Sequence, residues 1–322
     1  MSTLNERHTL AEQVAQAMGK SVYNNVEAHK DITPRLELQQ KSPKLMTLEE
    51  AIRHSGLKDG MTISFHHHFR GGDKVVNMVV AKLAEMGFKG LHLAASSLQD
   101  VHEPLIEHIR NGVITEISTS GLRGELAKEI SHGLMEKPVV FRSHGGRGEA
   151  IASGELHIDV AFLGASSSDP LGNACGYSRS ENAKSICGSL GYALPDAHYA
   201  DKVVILTDDL VPYPNTPNSI SEHDVDYVVE VESVGDSSKI ASGAIRDTKN
   251  PRDILLAQQA AKVIVNSGYF KNGFSIQTGS GGASLAAVKY IRQSMIDQGI
   301  KASFALGGIT AHMVKMHEEG LI

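Results

Sequence analysis

The chain has 322 residues, 41% of them hydrophobic, with a formal net charge of −6, so it can fill one large or two ordinary globular domains. That acidic balance excludes a nucleic-acid surface dominated by positive charge, though a local basic pocket is compatible with it. No run of about 18 uncharged apolar residues is present, so no membrane span is expected, and the polar start MSTLNERHTLAEQ lacks the apolar core of a secretory signal.

In chain order, residues 1–45 read as a polar N-terminal arm with one short helix. TLEEAIRHSGL then opens a helix, with Thr47 and Glu50 spaced as a capping box. Apolar, β-rich runs follow at MTISF, LHLAA, PVVF, IDVAFLGA, KVVILT and VDYVVEVE. Between several of them lies helical periodicity; Val76, Val79, Val80, Leu83 and Met86 share one face. The alternation predicts an α/β fold of mostly parallel sheets covered by helices. The proline-rich stretch LVPYPNTPNSISEHD is a plausible end to a first domain over 46–222, leaving 223–322 as a second. In that second domain NPRDILLAQQAAKVIV reads as a capped helix. Cys175 and Cys187 sit outside any CxxC spacing, so neither a zinc ribbon nor a disulfide scaffold is expected, and free thiols suit a reducing cytoplasm.

One unit occurs twice. DGMTISFHHHFRGGDKVVNMVVAKLAEMGFKGLHLA and NGFSIQTGSGGASLAAVKYIRQSMIDQGIKASFALG each contain a turn glycine (Gly60, Gly273), a strand, a glycine-rich loop and a helix ending near Gly87 or Gly299. A further strand closes each copy. The second domain would hold few strands, so the chain is expected to be part of a longer protein.

Glycine-rich loops between strand and helix place backbone N–H groups at a helix N-terminus, where anions bind. In the second copy the loop is Gly279, Ser280, Gly281 and Gly282, without the lysine of a P-loop or full GxGxxG spacing, so nucleotide binding does not follow. In the first copy it carries His66, His67, His68, Arg70, Gly71 and Gly72. Strand alternation turns His66 and His68 to one side and His67 to the other. Three readings stay open there: a polyanion site, a metal site with Asp73 near, and polar loop filling. Arg142 and Arg147 bracket a glycine pair in FRSHGGRGEA and suit a carboxylate or phosphate. Ser166, Ser167, Asp169, Gly172 and Asn173 form a turn after a β-rich run. GGITAHMVKMHEEGLI places His312 just after a strand, and there is no GxSxG elbow for a serine triad.

Together these motifs resemble the coenzyme A transferase superfamily. HIDVAFLGASSSDPLGNACG is similar to its strand and turn, and GFSIQTGSGGASLAAV to its glycine loop. With HHHFRGGD, STSGLRGELAKEI and SHGGRGEAIASGE added, the whole chain resembles the citrate lyase α subunit family. The resemblance implies a two-domain coenzyme A transferase-like fold and a transferase that exchanges citrate for acetyl on a carrier thioester. It implies no tightly bound cofactor and no metal. Acyl-coenzyme A, or the dephospho-coenzyme-A-derived arm of a carrier protein, would be the co-substrate. The implied partners are a lyase β subunit, a γ acyl carrier and further copies of the chain, with no nucleic acid and no membrane. His66, His68, Arg70 and His312 are the expected catalytic residues. His67, Gly71, Gly72, Arg142, Arg147 and Gly279–Gly282 are expected to bind substrate, and Ser166, Ser167, Asp169, Gly172 and Asn173 the carrier arm. Matching GITAHM to the superfamily's GlhSEm puts His312 where many members carry a covalent glutamate, which implies direct anhydride chemistry instead. Two other readings of the fold are a metabolite sensor and a sugar-phosphate isomerase; the latter needs an acidic base, for which Asp73 is the nearby candidate.

Overall fold

Thr47 starts helix α1 (Leu48–His54). Its hydroxyl accepts the Glu50 N–H at 3.3 Å while the Glu50 carboxylate accepts the Thr47 N–H at 2.9 Å, as the capping-box spacing predicts. The structure is a computed structural model that describes residues 12–14, 16–17 and 44–322, apart from 182, 189, 241–247, 280, 307 and 308. The chain divides into Met1–Pro43 and Lys44–Ile322. Most of the expected arm, and Ser280, therefore lie outside the described residues.

After α1 come β1 (Thr62–Phe65), α2 (Val75–Glu85), β2 (Leu91–Ala95), α3 (Leu105–Arg110), β3 (Ile114–Thr119), α4 (Gly124–Ser131), β4 (Val140–Phe141), α5 (His144–Ala152) and β5 (Val160–Ala165). A small hairpin, β6 (Ser167–Ser168) with β7 (Ala174–Cys175), precedes α6 (Leu194–Tyr199), β8 (Lys202–Thr207) and β9 (Tyr227–Glu230). Seven strands form one sheet in the order β4-β3-β2-β1-β5-β8-β9, and every neighbouring pair is parallel. Its core residues come from both sheet and helices, including Val76, Val79, Val80 and Leu83 of α2, with Phe65 and Phe162 stacked 5.7 Å apart. The predicted shared face of α2 is thus the buried one; Met86 follows it as the C-cap.

The chain winds outward from β1 in both directions, so the strand order reverses between β1 and β5. In open parallel sheets that reversal leaves a crevice at the carboxyl ends of the strands, where ligands bind. The fold therefore directs attention to the residues just after β1 and β5, His66–His68 and Ser166–Asp169.

One boundary is corrected. β9 lies beyond residue 222, the expected end of the first domain, yet Val204 of β8 pairs with Tyr227. The proline-rich stretch is a connection inside this sheet.

The second copy of the repeat is built from α7 (Pro251–Val265), β10 (Phe274–Gln277), α8 (Gly282–Gln298), β11 (Ala302–Leu306) and α9 (Ala311–Glu318). β10 and β11 pair in parallel, as β1 and β2 do. The turns before the two copies match atom for atom. Gly60 donates to Lys89 O at 3.2 Å while Lys89 N–H donates to Asp59 Oδ1 at 2.9 Å. Gly273 donates to Lys301 O at 2.8 Å while Lys301 N–H donates to Asn272 Oδ1 at 2.9 Å. Both glycines have φ +81°, a conformation that L side chains rarely adopt. Phe270, Ile276, Val288, Ile291, Met295, Met313 and Met316 form a second, separate core here.

Candidate active site

The chain leaves β1 at its carboxyl end and makes a tight turn, with Arg70 N–H on His67 O at 3.0 Å and Gly72 N–H on Phe69 O at 2.9 Å. Arg70 has φ +50°, the one positive value on a non-glycine among the described residues. The left-handed conformation costs on the order of 1–2 kcal/mol there. The turn is held by close backbone packing: a Cβ on Gly72 would lie 2.2 Å from Asp236 O, and one on Gly235 2.4 Å from the Phe69 ring. Gly72 thus serves contact with Asp236 rather than an open ligand surface.

His66 and His68 face each other, with ring centroids 3.7 Å apart. His66 is buried, and none of the four ring nitrogens of the pair has a hydrogen-bond partner. His67 turns away, as alternation predicts, and its Nδ1 lies 2.6 Å from Ser96 Oγ. Its ring packs 5.5 Å from His144 and 5.6 Å from Tyr192. Burial, followed by repulsion from His68 and His67, holds His66 well below its ordinary value. Burial also pushes His68 down to about 3, with His67 adding to it. For His67 burial comes first, then His144, Arg70 and Arg147, which together bring it to about 4. All three imidazoles are neutral at pH 7. The histidines therefore bring hydrogen-bonding nitrogens to the crevice, not the positive charge expected for holding a polyanion; at this loop Arg70, which is exposed, supplies that.

Arg147 is corrected most. FRSHGGRGEA is not a loop: Ser143 caps α5 by accepting the Gly146 N–H at 3.0 Å, and Arg147 lies inside the helix, 1% exposed. Its guanidinium grips Asp196 of α6 with two bonds, at 2.9 and 2.8 Å, and also reaches Ser64 Oγ at 2.7 Å and Ala94 O at 3.1 Å. It is a pin between α5, α6, β1 and β2, buried with only its Nε unpartnered. Arg142 is tied to Glu155 at 2.8 Å, while its Nη1 is buried without a partner.

The turn after β5 is likewise built inward. Asp169, 0% exposed, accepts the N–H groups of Leu171, Gly172 and Asn173 at 2.9, 2.9 and 3.2 Å. Its other oxygen accepts from Asn173 Nδ2 and Asn215 N, both at 2.8 Å. Ser166 Oγ accepts the Cys187 N–H at 2.9 Å, and Ser167 Oγ donates to Tyr177 O at 2.8 Å. Gly172, at φ +106°, lies against Val225. These five residues, expected to meet the carrier arm, are instead joined to the protein's own backbone and buried.

Asp73, the acidic base an isomerase would need, is engaged inside the protein. Its Oδ2 accepts the Val76 N–H at 3.0 Å and lies 3.1 Å from His102 Nε2, and both side chains are buried. Among the described residues, the one grouping of three histidine or acidic side chains close enough to share a metal is His157, Asp159 and Asp201, at the surface. Burial pushes the Cys187 thiol up to about 11 and raises Cys175, so neither is a ready nucleophile.

Gly281 is the N-cap of α8 and Gly282 its first residue; Gly279 precedes them, and His312 begins the first turn of α9 with Ala311. A groove of about 870 Å³ runs beside β10, lined by Leu256, Ala260, Ile264, Ala287 and Ile291. Polar groups, among them Lys271, Gln277 and Thr278, also line it. Spacing gave no sign of Ser96, His144's ring contacts, Tyr192 or Asp196, because these meet His67 and Arg147 only through tertiary packing.

Among the described residues no helix is long and apolar enough to cross a membrane. The family model for the citrate lyase alpha subunit matches residues 42–322. The citrate lyase alpha chain of Klebsiella pneumoniae is 60% identical over 303 residues, covering 90% of this chain, which spans 59% of that relative's length. A structure from Streptococcus mutans, described as a citrate lyase alpha subunit in complex with citrate, is 58% identical with a TM-score of 0.84, over 88% of this chain and 55% of that one. The fold is shared more widely: an acyl-CoA transferase from Escherichia coli O157:H7 superposes with a TM-score of 0.52 at 13% identity, over 84% of this chain and 66% of that one. With the family model matched over all of Lys44–Ile322, this chain belongs to the citrate lyase alpha subunit family.

Proposed function

We propose that this chain carries the acyl-exchange step of citrate lyase, taking the carrier thioester from acetyl to citrate and releasing acetate. The observation that carries the reading is the neutral His66–His68 pair, whose four ring nitrogens are buried without a hydrogen-bond partner at the switch point of the sheet. Leaving buried polar nitrogens unpaired costs about 1–3 kcal/mol per group, a cost that a bound ligand offsets. The citrate named with the Streptococcus mutans relative supports citrate as that ligand.

In this reading a citrate carboxylate attacks the acetyl thioester carbon. The C–S bond breaks and the thiolate leaves, giving a mixed anhydride. The thiolate then attacks the citryl carbon of the anhydride, that C–O bond breaks, and acetate departs. Each attack places negative charge on a carbonyl oxygen, and no side-chain nucleophile takes part. Neutral imidazoles each offer one N–H, so His66 and His68 supply two fixed donors to that oxygen without moving a proton. Arg70, exposed beside them, attracts the remaining carboxylates. The thioester enters as acyl-coenzyme A or as a carrier's dephospho-coenzyme-A-derived arm, and no tightly bound cofactor is involved. Lyase β and acyl-carrier γ subunits are the proposed partners of a homo-oligomeric, cytoplasmic chain.

The test mixes the chain with acetyl-coenzyme A and citrate and follows citryl-coenzyme A and acetate by mass spectrometry. Both products are expected. Citrate binding without either product would favour a metabolite sensor. Borohydride trapping of a glutamyl thioester during turnover would contradict the direct route.

A further inference from the structure

Of His66, His67 and His68, only His67 hydrogen-bonds a side chain among the described residues, and that side chain is Ser96. Ser96 directly follows β2, and its backbone is fixed on both sides. Its N–H donates to Phe65 O at 2.9 Å, and its carbonyl accepts the Ser120 N–H at 3.3 Å. Its hydroxyl lies 2.6 Å from His67 Nδ1 and has no other hydrogen-bond partner among the described residues. Ser96 is 0% exposed, so its hydroxyl hydrogen needs an acceptor inside the protein. If Nδ1 carried a proton, it would donate to Ser96 Oγ and leave that hydroxyl hydrogen buried without one. With Nδ1 bare, the hydroxyl donates to it and both atoms are satisfied. His67 is neutral at pH 7, so its single ring proton then sits on Nε2. Nε2 is neither buried nor hydrogen-bonded among the described residues. The ring is also held from the side. Tyr192 packs against it edge-on at 5.6 Å and His144 at 5.5 Å. Tyr192 OH in turn donates to His144 O at 3.0 Å and lies 3.3 Å from Ser120 Oγ.

We propose that Ser96 is a positioning residue that keeps the His67 proton on Nε2, making that nitrogen a fixed donor to a carboxylate oxygen of the ligand. His67 turns away from His66 and His68, so it meets a different oxygen from theirs. Naming citrate as the ligand rests on the function proposed above; the placement of the proton does not.

The experiment is nitrogen-15 NMR of the His67 imidazole in the full chain at pH 7.5, assigned with His67→Phe, together with citrate affinity by calorimetry. In the parent, Nδ1 should be unprotonated and Nε2 protonated. Ser96→Ala should move the Nδ1 signal and weaken citrate binding roughly tenfold, the worth of one well-placed hydrogen bond. Added to His67→Phe, the same substitution should change citrate affinity by less than about twofold, because Ser96 acts through His67. A parent with the proton on Nδ1 overturns the proposal. So does Ser96→Ala with the parent's citrate affinity, or a Ser96→Ala effect that persists in full beside His67→Phe and marks Ser96 as structural. Those three results leave the proposed function standing. A parent that binds no citrate and makes no citryl-coenzyme A overturns that function and the donor's ligand with it, while the NMR still decides where the proton lies.

Discussion

His66 and His68 stand ring to ring, 3.7 Å between centroids, and none of their four buried ring nitrogens meets hydrogen-bond geometry with a protein partner, although the Gly164 backbone acts on His66 to favour its charged form. Four buried ring nitrogens without a protein partner cost stability unless a ligand or a water meets them. That relationship sets the first expectation. His68→Phe removes two of the four unpaired nitrogens and keeps a ring, so it should raise stability by roughly 1–3 kcal/mol in urea unfolding. The same variant should lose citrate binding and transfer. A variant that is less stable yet fully active would mean that the pair is structural.

The depressed histidines also set a pH dependence. The unfolded chain protonates His67 near 6.5, whereas the folded chain holds it neutral down to about 4. Between those values the unfolded state binds more protons, so stability falls as pH falls through 6.5 and levels off below about 4. For one such group the loss is about 2 kcal/mol at pH 5. Urea midpoints at pH 7 and pH 5 measure it, and His67→Gln should flatten the slope. An unchanged slope in that variant would contradict the depressed value.

Arg147 and Asp196 form a buried pair, so removing one partner strands the other charge. Arg147→Met should cost about 3–5 kcal/mol. A cost below about 1 kcal/mol in denaturant unfolding would show that the pin is dispensable.

Asp169 separates a structural turn from a carrier site. With five hydrogen bonds to its carboxylate, Asp169→Ala should lower stability by several kcal/mol, as loss of charge-assisted bonds does. If the variant keeps its melting temperature and only raises KM for the acyl-coenzyme A, the turn contacts the arm after all.

Local patterns in the sequence reported local structure well. The capping box at Thr47, the buried face of α2, the alternation of His66, His67 and His68, and the repeated Asp-Gly and Asn-Gly turns all depend on residues close in the chain. Misreadings arose where a distant partner decided the outcome. The glycines of FRSHGGRGEA resemble a loop, but Ser143 caps a helix there and Arg147 finds Asp196 49 positions later. Ile114–Thr119 carries polar residues between its apolar ones, so no apolar run marks it as a strand; pairing with β2 and β4 makes it one. β9 follows three prolines and looked like the start of a new domain, and only its register with β8 returns it to the first sheet. The Ser166–Asn173 motif was legible as a turn, but its burial was not, because that depends on Asn215 and Glu222.

The most direct test of the site is nitrogen-15 NMR of the imidazoles of His66 and His68, assigned by single substitutions, while citrate is added at pH 7.5. The account predicts that both residues begin as neutral imidazoles and that their N–H signals shift together on saturation. Citrate that binds with neither histidine perturbed would place the ligand elsewhere and contradict it.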